Sequence, residues 1–95
     1  MTMTTYDGLE HFTRCILDRY QPVMEDDAYW AACDALAAGE LEIAAVTAVE
    51  MAPVTAAELD TLEVLAEHFD HVDGPIARHV VTAVRERIRA GIGLC

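Results

Sequence analysis

Four chain breaks constrain this sequence more than any other feature: Gln21-Pro22, Gly39, Ala52-Pro53-Val54 and Asp73-Gly74-Pro75. Proline lacks a donor N–H and restricts the residue before it, and glycine reaches the left-handed backbone that ends helices. The segments between these breaks are each of helical length, and short connections between such segments imply antiparallel neighbours. The 95 residues leave room for one hydrophobic core. The expectation is a single all-α domain, residues 1–95, built as a compact bundle of about five antiparallel helices.

Each segment carries its own periodicity. In the first, Tyr6, Leu9, Phe12, Ile16, Leu17 and Tyr20 recur at helical spacing, with Asp7, Glu10, Arg14, Asp18 and Arg19 on the other side. The second opens on Glu25-Asp26-Asp27, negative charge where a helix start is electropositive, and carries Ala28, Tyr29, Ala32, Cys33 and Leu36. Gly39 suits its left-handed terminus. The third, from about Glu40 to Met51, is nearly continuous in apolar residues. A strand through 43–49 competes there, but Ala44, Ala45 and Ala48 favour a helix and no second strand exists to pair with it. A helix apolar on most sides belongs at the centre.

Thr55-Ala56-Ala57-Glu58 matches a capping box and starts the fourth helix, in which Leu59, Leu62, Leu65, Ala66 and Phe69 share a face. In the fifth, Asp73 is placed to cap and Pro75 sits in the tolerant first turn. Ile76, Val80, Ala83, Val84 and Ile88 should form its buried stripe, with Gly91 and Gly93 ending it.

Charge excludes several functions. Six Arg, no Lys and 17 acidic residues sum to −11, a surface that repels nucleic acid and anionic membrane and attracts cationic partners. Met1–Thr5 running straight into Asp7 and Glu10 leads to the expectation of no secretory-type leader, no window of this sequence reaches membrane-spanning length, and three widely spaced cysteines make no disulfide framework. A cytoplasmic protein is expected. Between Tyr20 and Ala77 lie 13 acidic residues and no Arg or Lys, whereas residues 78–95 carry four Arg against one Glu. Like charges at helical spacing, such as Glu63 and Glu67, cost a few tenths of a kcal/mol, about as much as mixed pairs would contribute. A partner's positive surface would compensate. A solvated, solubilising face is the plainer account.

Catalytic chemistry finds little support. His68 and His71, with Glu67, Asp70 or Asp73, could be drawn as a metal set, but a solvated helix end accounts for them better. There is no serine and no Gly-rich phosphate loop. Cys15 and Cys33 fall near apolar stripes, where cysteine is usually a small core residue. No metal, no cofactor and no enzymatic activity are expected. Trp30 is either a half-buried core residue or an exposed anchor between Asp26 and Asp34.

The run Ala38-Gly39-Glu40-Leu41-Glu42-Ile43-Ala44, followed by Val54-Thr55-Ala56-Ala57-Glu58-Leu59 and Leu62, resembles the MafI-type bacterial immunity proteins over residues 28–69. That resemblance implies a small all-helical protein that binds and neutralises a cognate toxin, often a nuclease. Charge argues independently for a basic partner, with carboxylates standing where substrate phosphates would. The candidate partner-binding residues are Asp26, Asp27, Trp30, Asp34, Glu40, Glu42, Glu50, Glu63 and Glu67. The alternatives are a helical adaptor or dimerising accessory protein that binds another basic protein, and a small metal-dependent enzyme.

Overall fold

The computed structural model describes residues 5–91, with side-chain positions over residues 8–91. Five helices form an all-α bundle: α1 Thr5–Tyr20, α2 Asp26–Ala37, α3 Leu41–Met51, α4 Ala56–Ala66 and α5 Asp73–Ala90. A 3₁₀ turn, Gln21–Val23, with Pro22 in its first turn, carries the chain out of α1. No strand occurs among the described residues, so the 43–49 segment is helical.

The α3 helix packs on α1, α2 and α5, while α4 packs on α5 and touches α1. The order across the bundle is therefore α2, α3, α5, α4, with α1 lying over α3 and α4. Small side chains make α3 fit this central place: Ala44, Ala45 and Ala48 are wholly buried beside Val49. Leu9, Ile16, Leu59 and Leu62 are the largest side chains sealed in the core, each stabilising by about 1.5–3 kcal/mol through burial. Thr13 is buried among them, and its hydroxyl donates to the Leu9 carbonyl at 2.8 Å. That bond satisfies a hydroxyl that would otherwise be buried unpaired.

The helix ends follow local chemistry. Gly39 lies at φ 79°, its N–H donating to the Leu36 carbonyl at 3.0 Å and the Glu40 N–H to the Ala35 carbonyl at 2.9 Å. This paired pattern closes α2 and needs the left-handed residue that glycine supplies. The Thr55–Glu58 capping box forms: the Glu58 N–H donates to the Thr55 hydroxyl at 3.2 Å, and the Thr55 N–H to Glu58 Oε1 at 2.8 Å. Gly91, at φ 74°, ends α5, and Gly93 lies outside the described residues.

Three expectations are corrected. The α5 stripe is rotated: Ala77, Val80, Val81 and Val84 are buried, whereas Ile76 is about half exposed and Ala83 is exposed. The helix turns its smaller residues to α3 and α4 because α3 presents alanines at close approach. Asp73 does not cap α5. Asp70 does so in its place, its Oδ1 accepting the Val72 N–H at 2.9 Å and the Asp73 N–H at 2.7 Å. Cys15 is exposed beside His11, with Sγ 3.6 Å from Nε2, rather than in the core.

Candidate functional site

Most of the acidic residues from Glu25 to Asp73 fall into three groups. On α2, Asp26, Trp30 and Asp34 recur every four residues and Asp27 lies beside them, so the four make one stripe; all four are exposed. Trp30 is 61% exposed, its ring meeting Tyr29 edge-on at a centroid distance of 5.3 Å. Tyr29 is the inward-leaning partner, packed against the core. The Tyr29 phenol is pushed above its ordinary range by a hydrogen bond with Cys33, by burial and by the nearby Cys33 and Asp18 charges. Among the described residues, none of Glu25, Asp26, Asp27 or Asp34 makes an ion pair.

The second group lies where α3 and α5 begin. Glu40 is exposed at the mouth of α3. Glu42 turns inward instead: the residue keeps partial exposure, but its Oε2 is shut off from solvent and has no hydrogen-bond partner. Asp70, from the α4–α5 connection, and Asp73, from the first turn of α5, face it. Burial raises the Glu42 carboxyl above the carboxylate range, the Asp73 carboxylate, to which only a protonated Glu42 can donate, and repulsion from Asp70 and Asp73 add to this, and the Asp70 N–H opposes it. Asp70 is shifted the other way, chiefly by the Asp73 and Val72 N–H donors. Two adjoining clefts flank the trio. One, of about 430 Å³, is lined by Gly39, Glu40, Leu41, Glu42, Ile43 and Asp73. The other, of about 240 Å³, takes in Ile43, Val46, Thr47 and Ile76.

The third group, on α4, is partly neutralised from within. Arg85 reaches Asp60 at 2.7 Å and both oxygens of Glu63 at 3.3 Å. The like-charge spacing on α4 thus has an intramolecular compensation that spacing alone did not show. Hydrogen bonding to Glu63 heads the causes that raise the Arg85 pKa, with Asp60 adding to it. Glu67 is exposed at the end of α4. Glu50 is exposed at the far end of α3 from Glu40, and its carbonyl accepts from Arg87 at 3.0 Å.

The nine candidate residues therefore do not form one surface. Asp26, Asp27, Trp30 and Asp34 come together, Glu40 stands at the adjoining helix junction, and Glu42 points into the trio. Glu63 and Glu67 lie elsewhere, since α3 and α5 separate α2 from α4, and Glu50 stands at the opposite end of α3 from Glu40. His68 and His71 are exposed and belong to no cluster of three potential metal ligands among the described residues. The Glu42–Asp70–Asp73 convergence was missed by sequence reasoning. The i,i+3 spacing of Asp70 and Asp73 was visible, but the arrival of Glu42 depends on how α3 packs against α5.

Comparison with protein families, curated proteins and solved structures finds no match. Among the described residues, no helix is long and apolar enough to cross a membrane.

Proposed function

We propose that this chain is a stoichiometric binding protein that engages a basic protein through the outer stripe of α2, in the manner of an immunity protein blocking a toxin's nucleic-acid-binding cleft. One observation carries the reading: an exposed Trp30 stands in a row of carboxylates, Asp26, Asp27 and Asp34, that no cation of the described chain neutralises. A large aromatic surrounded by unspent negative charge is what an anchored, electrostatically steered interface needs. The contrast with α4 sharpens the point, because there Arg85 already occupies the acidic face. Glu40 extends the α2 surface, while Glu63 is spoken for within the bundle. The resemblance to MafI-type immunity proteins over residues 28–69 supports the choice of a toxin as the basic partner, and a cytoplasmic site of action follows from that choice.

The test is capture followed by neutralisation. Wild-type protein and an Asp26→Lys/Asp27→Lys/Asp34→Lys variant serve as baits, and a captured basic protein is assayed for toxicity with each. The proposal expects capture and protection by wild type and loss of both in the variant. Equal protection by the two would remove the α2 stripe from the account.

A further inference from the structure

The carboxylate trio at the α3–α5 junction has geometry that solubility does not explain. The carboxylate oxygens of Glu42, Asp70 and Asp73 lie within 4.8 Å of one another. That is the span a single ion can bridge with bonds of about 2.4 Å. The Glu42 Oε2 is sealed from water and makes no hydrogen bond, so its charged form gains from a nearby counter-charge. The Asp70 N–H lies near the Glu42 carboxyl but leaves Oε2 without a hydrogen bond. The Val72 and Asp73 N–H groups are taken up by Asp70 Oδ1. Arg78 leans over Gly74 yet forms no ion pair with the trio.

We propose that Glu42, Asp70 and Asp73 bind one hard divalent cation of the calcium or magnesium type, with water completing its coordination. All three donors are carboxylates and neither His nor Cys joins them, which favours such ions over zinc or copper. Two helix starts, those of α3 and α5, point positive ends toward this place and weaken a cation's hold. Three ligands and that opposing field put the dissociation constant at about 0.1–1 mM, the weak end of the known range. The site does not rest on the α2 partner surface, and either could fail alone.

The experiment is calorimetric titration of the whole chain, freed of metal by chelation, with CaCl₂, MgCl₂ and ZnCl₂ in separate arms at fixed ionic strength. Saturable binding of one Ca²⁺ or Mg²⁺ per chain is expected, weakened tenfold or more in both Glu42→Gln and Asp73→Asn, and changed less than twofold in Asp26→Asn. Glu42→Gln removes a buried negative oxygen and should fold at least as well as wild type, which circular dichroism checks. Absence of saturation up to about 10 mM, well beyond the expected range, would overturn the site. So would unchanged binding by Glu42→Gln, tighter zinc than calcium or magnesium binding, or equal weakening by Asp26→Asn, the mark of a diffuse counterion cloud.

Discussion

The Tyr20 hydroxyl donates to the Glu58 carboxylate, joining the last residue of α1 to the first turn of α4. Glu58 simultaneously closes the α4 capping box on Thr55 and faces Arg19 at 3.4 Å. One carboxylate thus ties a helix end to a helix start across 38 residues of chain. Burial alone would raise its pKa, but the Tyr20 hydroxyl, the Thr55 donors and Arg19 outweigh it and hold the carboxyl below its ordinary 4.5. The Tyr20 phenol is raised in turn, by burial first and then by Glu58.

The first prediction follows from that junction. Tyr20→Phe should lower unfolding free energy by about 1 kcal/mol, and Glu58→Gln by about 1–2 kcal/mol because the cap weakens too. Chemical denaturation at neutral pH measures both. A folded pKa below the unfolded one means that Glu58 stabilises above pH 4.5, with the contribution lost as pH falls through the folded value. The acid side of the wild-type stability curve should therefore flatten in Glu58→Gln.

Glu42 carries the opposite sign. Its folded pKa is raised, so the folded state holds the proton more tightly than the unfolded one and stability falls as pH rises above 4.5 toward the folded value. In chelator, Glu42→Gln should melt higher than wild type at neutral pH, by roughly 2–5 °C for a domain of this size. The difference should shrink on acidification. A lower melting temperature for the variant at pH 7 would contradict the reading of Glu42 as an unsatisfied carboxylate.

Arg85 tests the internal neutralisation of α4. It bridges Asp60 and Glu63, and those partners remain well exposed, so Arg85→Ala should lower stability only slightly. The loss should diminish in high salt, where surface pairs are screened. A double-mutant cycle with Glu63→Ala measures the coupling.

How much of this was legible in the sequence depends on the range of the interaction. Gly39, Pro22 and the Thr55–Glu58 box act within a few residues, and each does in the fold what its spacing implies. The central place of α3 was legible because its apolar surface wraps most of the helix. The rotation of the α5 stripe away from Ile76 was not, since helical period fixes a face only to within a residue or so and the alanines of α3 decide the final angle. Asp70 rather than Asp73 caps α5 because α4 ends at Ala66, leaving the chain through Asp70 free to fold back. The grouping of the acidic residues lay beyond reach for the same reason: Arg85 meets Glu63, and Glu42 meets Asp73, only through packing between helices.

Trp30 is the single tryptophan, which makes its surroundings directly readable. Exposed among Asp26, Asp27 and Asp34, it should emit at long wavelength and be quenched several-fold better by caesium than by iodide, because the local field gathers cations and expels anions. Added salt should bring the two quenchers together. Asp26→Asn/Asp34→Asn should do so at low salt.

The most direct test of the central claim is the association rate constant with a captured basic partner, measured across salt for wild type and for Trp30→Ala. Steering by the α2 stripe predicts a wild-type association rate that falls at least tenfold between about 50 and 500 mM salt while dissociation changes far less. Trp30→Ala should speed dissociation and leave that salt dependence intact, since the anchor is apolar and the field comes from the carboxylates. An association rate indifferent to salt, or a Trp30→Ala variant that dissociates as slowly as wild type, would contradict the account.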